Sequence, residues 1–178
     1  NLGPLRSDTP EEARPEWVPV IAGTDTALML AMVYTLVSEG RHDADFIARY
    51  CDGWATFEGY LLGRSDGILK TATWASTICG VPAADIERLA RSLPGKRVLV
   101  VVAHALQRSE HGEQPVWMAA VLAAVLGQVG LPGGGYAYAL GTLAHYGRRT
   151  NAVIVPALPQ GANAVKALVP VIQAEMPP

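Results

Sequence analysis

Charge is scarce in this chain. Asp, Glu, Lys and Arg make up 17% of 178 residues, against 50% apolar residues, with a net charge of −2. So apolar a composition excludes a disordered chain. The near-neutral balance, with a pI of about 6.1, lacks the basic stripe of a nucleic-acid binder. Cysteine is nearly absent: Cys51 and Cys79 are too few and too far apart for a disulfide framework or a zinc pair. Long hydrophobic runs are missing as well. The longest, Val116 to Leu126, has eleven residues, whereas a bilayer span takes about 20, so a soluble chain without a membrane span is expected. The polar start, Asn1 to Pro15, lacks the basic-then-apolar pattern of a targeting signal. With Asn1 in place of an initiating Met, the chain reads as a processed chain or an excised piece.

What is present is a series of helical segments around one strand. Pro4, Pro10, Pro15 and Pro19 make residues 1–22 an irregular lead-in, with a short edge strand over Trp17 to Ile21 at best. A first helix is expected from Thr24 as N-cap, through Asp25 at the positive helix end, to a stop at Gly40. Its segment Ala27 to Tyr34 is apolar on nearly every side, which predicts burial between layers. Shorter helices are predicted over Asp43 to Tyr50, Trp54 to Leu62 and Thr73 to Ile78, with a turn at 63–67. Pro82 suits a first helical position, and Ile86, Leu89, Ala90 and Leu93 fall on one apolar face.

Val98 to Ala103 is the one unmistakable strand, and its unbroken apolar character suits a central parallel strand covered on both faces. A polar segment, His104 to Gln114, follows at its C-terminal end, and a second all-round apolar helix is predicted from about Gln114 to Val129. After Gly133-Gly134-Gly135 comes a Gly- and Tyr-rich stretch, then a possible strand at Asn151 to Val155. A lone strand leaves ladder groups unpaired, each costing roughly 1–3 kcal/mol if buried. Together these elements read as a helix-rich fragment of a doubly wound, mostly parallel-sheet α/β domain, with 23–155 as its α/β part and 156–178 as a tail.

Most motifs fail on context. Gly63-Arg64-Ser65-Asp66-Gly67 spells the serine-hydrolase elbow, but that chemistry needs a strand before the serine, and Phe57 to Leu62 reads as helix. The 133–135 glycines lack the third glycine of a dinucleotide fingerprint, Tyr138 standing in its place. They read as a helix-terminating loop or as a close approach to a ligand. His42, His104, His111 and His145 show no metal-ligand spacing. His42 reads as solvated, while His104 and His111 flank the segment where open α/β sheets bind ligands. Asp25 either complements the helix dipole, worth about 0.3–1 kcal/mol, or accepts paired N–H bonds, as from the edge of guanine. Arg108, five residues past the strand, is a surface arginine or a planar fork aimed into the crevice.

Taken together, four stretches resemble the molybdopterin oxidoreductases of the dimethyl-sulfoxide reductase family, in the branch reducing S- and N-oxides. They are Gly23-Thr24-Asp25-Thr26-Ala27-Leu28; His42 to Gly67; Leu106-Gln107-Arg108-Ser109-Glu110-His111-Gly112-Glu113-Gln114; and Leu126 to Gly135. Pro156 to Gly161 fits the same branch. The resemblance implies a molybdenum bis(molybdopterin guanine dinucleotide) cofactor and oxygen-atom transfer from a small S- or N-oxide. It implies cofactor contacts at Gly23, Thr24, Asp25 and Arg108, and a substrate pocket shaped by His104 and Arg108. A tryptophan usually stands at the position of His104, so this histidine changes both stacking and proton supply. The family's metal ligand falls outside these residues, so the fragment alone should be inactive. Its partners would be the remainder of the same enzyme chain and an electron-donor protein, and periplasm and cytoplasm both remain open. A non-catalytic structural or nucleotide-binding module of the same fold is the alternative.

Overall fold

A computed structural model describes residues 15–138; the expected strand at Asn151 to Val155 and the tail lie outside the described residues. Helix α1, Asp25–Ser38, is the centre of the unit. Its sequence leaves almost no polar flank, and Ala31, Val33 and Leu36 are fully buried among α4, Ala72–Cys79, α5, Ala83–Arg91, and α6, Glu113–Val125. Each large side chain buried there contributes about 1.5–3 kcal/mol. At its C-terminus Gly40 takes φ +64; its N–H donates to Val37 O (3.1 Å) while Arg41 N–H donates to Leu36 O (2.8 Å). This paired closure satisfies carbonyls that the helix leaves open. The stop read at Gly40 is therefore real, and so is the burial of α1.

Two short helices, α2 (Ala44–Tyr50) and α3 (Trp54–Leu61), follow as expected. Asp43 caps α2, accepting from Phe46 N–H at 2.8 Å. Helix α4 is longer than the two turns expected, because Thr71 caps it by accepting from Trp74 N–H at 3.1 Å. Pro82 stands one residue earlier than expected, at the N-cap of α5 with ψ 136°, not at its first helical position. Ile86 and Ala90 are fully buried, with Leu89 and Leu93 packed partly against the core, as their spacing predicts. The lead-in forms no strand at Trp17 to Ile21. It is fixed instead by Ile21 N–H donating to Cys79 O (3.0 Å) and by Glu16 accepting from the Arg88 guanidinium.

The sheet has two strands among the described residues. Strand β1, Leu99–Val102, pairs in parallel with β2, Gly135–Tyr138, in the register Leu99 opposite Gly135 to Val102 opposite Tyr138. A parallel pair needs a crossover, and α6 supplies it, packing on both strands. The chain is thus α/β and helix-rich. Three expectations are corrected here. The glycines at 133–135 do not end α6, which stops at Gly127 (φ +64); they launch β2, with Gly135 N–H donating to Val98 O at 2.9 Å. Strand β1 is covered on one face only among the described residues: Val102 is buried, but Leu99 and Val101 are 46% and 54% exposed. Helix α6 is shorter than expected and not buried all round, since Trp117 is 62% exposed.

Lys70 is the one buried cation among the described residues, 1% exposed. Its ammonium donates to Asp66 Oδ2 (2.6 Å) and Ile68 O (2.6 Å), and lies 4.2 Å from the centre of the Tyr60 ring. These bonds close the turn at 63–67, where Leu62 and Leu69 form an antiparallel bridge. Gly63 (φ +68) has no room for a Cβ, which would sit 2.8 Å from Ile68 C. Ser65 therefore lies exposed on a helix–turn segment, not on a strand-to-helix elbow.

The Asp66 carboxyl is held below the ordinary aspartate value by the Lys70 ammonium first and the Ile68 N–H second. A depressed carboxylate stabilises the fold above its unfolded value, about 3.9, and the contribution is lost as pH falls through the folded value. Thermal midpoints measured from about pH 5 to pH 2 should therefore fall more steeply for the native sequence than for Asp66→Asn. Parallel acid limbs would show that the pair contributes nothing.

Candidate functional site

The residues read as candidates occupy two places. The first is the head of α1. Gly23 has φ +83 with open space around a built Cβ, so conformation and not crowding calls for glycine there. Thr24 sits at the N-cap position, but its side chain does not cap the helix; its hydroxyl donates to Ile21 O at 2.6 Å. That is a correction with a clear cause: the Thr24 N–H also reaches Ile21 O (3.2 Å), so the hydroxyl closes the preceding turn. Because Ile21 is itself tied to Cys79, the loop is anchored on α4. Asp25 follows, half-buried, and among the described residues its carboxylate has no hydrogen-bond or ion-pair partner.

The second place is the C-terminal end of β1. The chain turns through a short 3-10 helix, His104–Gln107, and Arg108 closes it with its N–H donating to Ala105 O at 3.1 Å. Arg108 is exposed, and among the described residues its guanidinium pairs with no carboxylate. The return into α6 is tight. Ser109 Oγ donates to Leu106 O (3.1 Å), and Gly112 N–H donates to Ser109 O (3.0 Å). His111 takes φ +55, the one non-glycine residue with positive φ among the described residues. Gly112 has no space for a side chain, since a Cβ would stand 2.7 Å from Gln107 Cα and closer still to its carbonyl. Glu113, opening α6, is held below the ordinary glutamate value by its own N–H, then by the Gln114 amide and by nearby His111.

His104 and Arg108 are thus brought into one turn, while Gly23, Thr24 and Asp25 stand apart; among the described residues no hydrogen bond or ion pair joins the two groups. Thr26 and Gln114, each just inside the helix at its own group, line one cavity of about 830 Å³. Two features escaped the sequence. His42 is not solvated: it is half-buried, its ring is stacked on Trp54 at 5.9 Å, and its Nδ1 is buried without a hydrogen-bond partner. The strained turn at His111 and Gly112 was signalled only by a Gly after a polar run.

Residues 6–174 match the family model for the molybdopterin oxidoreductases. A trimethylamine-N-oxide reductase of Haemophilus influenzae is 49% identical over 135 residues, covering 76% of this chain and 16% of the relative. A biotin sulfoxide reductase of Cereibacter sphaeroides is 44% identical over 170 residues, 96% of this chain and 23% of the relative. A dimethyl sulfoxide/trimethylamine N-oxide reductase of Rhodobacter capsulatus is 47% identical over 135 residues, 76% and 16%. The chain therefore spans about a sixth to a quarter of the length of these relatives.

The turn after β1 makes opposite demands at adjacent positions. His111→Gly should leave stability unchanged or raise it by up to about 1–2 kcal/mol, the ordinary cost of a left-handed residue with a Cβ. Gly112→Ala should lower it by about 1–3 kcal/mol through forced displacement of the turn. Denaturant midpoints of the two variants check this, and a neutral Gly112→Ala would contradict the packing described.

Proposed function

The chain belongs to the molybdopterin oxidoreductase family, and we propose that the protein it comes from is a molybdenum enzyme reducing S- or N-oxides by oxygen-atom transfer. In this reading the chain supplies guanine and pterin contacts to a bis(molybdopterin guanine dinucleotide) cofactor. The observation that carries it is the Asp25 carboxylate: half-buried, without a partner among the described residues, and held in place by a backbone anchored through Ile21. Paired carboxylate oxygens suit the two N–H donors on the edge of a guanine, and such charge-assisted bonds are the strong ones. A phosphate would be repelled there.

The other candidates fit the same ligand. Gly23 takes a left-handed conformation with open space where a Cβ would stand, and Thr24 shapes the loop by donating its hydroxyl hydrogen to Ile21 O, leaving both hydroxyl lone pairs for a ligand N–H. Among the described residues the Arg108 guanidinium has no partner, and it stands in the turn that follows β1, on the side where open α/β sheets bind ligands. Its planar fork can donate to, or stack on, a pterin ring. His104 opens the same turn and is assigned with Arg108 to the substrate pocket; neither is a metal ligand in this reading. When bound, the cofactor would supply two-electron oxygen-atom-transfer chemistry, the oxygen of the oxide leaving as water with two protons and with two electrons that come from a donor protein. The residues of this chain hold and orient; the metal's protein ligand is assigned to the remainder of the enzyme chain. That relatives are named for trimethylamine N-oxide, dimethyl sulfoxide and biotin sulfoxide supports the substrate class.

In the full-length enzyme, Asp25→Ala should lower molybdenum and guanine content. Loss of a hydrogen bond to a charged group, about 1.5–3 kcal/mol, corresponds to retention weaker by roughly one to two powers of ten. Metal and nucleotide analysis of the purified variant tests this, and normal content would remove Asp25 from the site. Arg108→Ala should reduce kcat/KM while leaving the thermal midpoint nearly unchanged; an equal loss of both would make Arg108 structural. The coding sequence upstream of Asn1 separates this reading from a non-catalytic module, which would lack a segment carrying the metal ligand.

A further inference from the structure

The large cavity between α1, α2, α3 and α6 has a patterned floor. Trp117, Ala120, Val121 and Ala124 line it from α6, spaced i, i+3, i+4 and i+7, so they form one stripe along the helix. Leu30 of α1 and Phe57 of α3 form its walls. Asp52 is the single charged residue among those that line it. Ala120 and Ala124, on either side of Val121 along the helix, make a notch into which another helix can approach at close packing distance.

We infer that this groove is the seat of a helix from the same polypeptide, outside these 178 residues, with a stripe of Leu-, Val- or Met-sized side chains. Three observations choose this occupant. Every position from Val116 to Leu126 is apolar, so α6 offers no flank suited to lasting contact with water. The matched relatives are four to six times longer than the stretch they share with the chain, so most of the parent's apolar side chains lie outside it. A tethered segment also meets the groove at a high effective concentration. An exchangeable partner would instead call for a strongly polar rim, whereas most of the lining is apolar, with Asp52 its one charged residue beside the neutral Thr26, Thr56, Tyr60 and Gln114. The inference rests on the chain's being part of a longer enzyme, not on which residues touch the cofactor.

The test uses the full-length holoenzyme. A Trp117→Cys variant, labelled with a maleimide and read by peptide mass spectrometry, should react at least about tenfold more slowly in native protein than in denatured protein. With p-benzoyl-phenylalanine in place of Trp117, irradiation should link this site, within one polypeptide, to a segment outside the 178 residues. Native labelling at the denatured rate overturns the inference, and so do cross-links between two copies or to any part of these 178 residues. Ala120→Leu gives a second measure. It should lower the thermal midpoint of the holoenzyme by filling the notch, and an unchanged or raised midpoint means that the groove is open. Loss of protection with normal cofactor content would overturn the docked helix alone and leave the cofactor reading standing.

Discussion

Helix α1 has almost no flank to give to water, and the need to cover it on every side organises the rest of the unit. Three helices close around it, α4, α5 and α6, and each is brought there by a local device. Helix α4 begins at the Thr71 cap, α5 begins where Pro82 breaks away from a helical ψ, and α6 is carried over the parallel strand pair. The fully buried positions Ala31, Val33 and Leu36 meet equally buried Ala75, Cys79, Ile86 and Ala90 within one core. Small residues recur at these positions, which lets helix axes come close without voids. Peripheral ion pairs, such as Arg91 with Glu39 and Glu87, are exposed. Pairs of that kind contribute little by themselves, so the core sets the arrangement.

What could be read from the sequence follows from how local each signal is. The ends of α1, the apolar face of α5 and the core of β1 depend on spacing within one element, and all three are found. Strand β2 was hidden because Gly135-Tyr136-Ala137-Tyr138 is short, begins with glycine and has no β-branched residue, and its strand character comes from pairing with Val98 to Val102. Thr24 has the chemistry of a cap, yet the carbonyl of Ile21 captures its hydroxyl, a competition decided by the turn before the helix. Lys70 gave no signal at all: its burial rests on Asp66, a backbone carbonyl and a tyrosine ring meeting at one point. His42 failed for the same reason, since Trp54, twelve positions on, shields it.

The candidate site shows the same division. That Asp25 heads a helix and that Arg108 follows a strand was legible, and both places are found. The turn that fixes Arg108 was not, because its constraint lies between Gly112 and the backbone of Gln107. A glycine that permits a positive φ and a glycine that merely lacks volume look alike in a sequence. Gly23 is the first kind and Gly112 the second.

The two exposed apolar surfaces, the outer face of β1 and the stripe on α6, have a common origin in the all-apolar segments that sequence reading expected to be covered. Each segment leads into or out of the turn that carries Arg108: β1 enters it, and α6 leaves it one residue before Gln114 at the lip of the cavity. Helix α6 opens directly from the tight turn at Gly112, so the stripe and the turn share one rigid stretch of backbone. Unsatisfied burial and candidate chemistry are therefore joined through a short stretch of backbone. Asp25, whose carboxylate has no partner among the described residues, stands one residue before Thr26 at the same cavity and extends that link to the other half of the site. The separation of Asp25 and Arg108 is set through the packing of α1 against α6, since no direct hydrogen bond joins the two groups among the described residues.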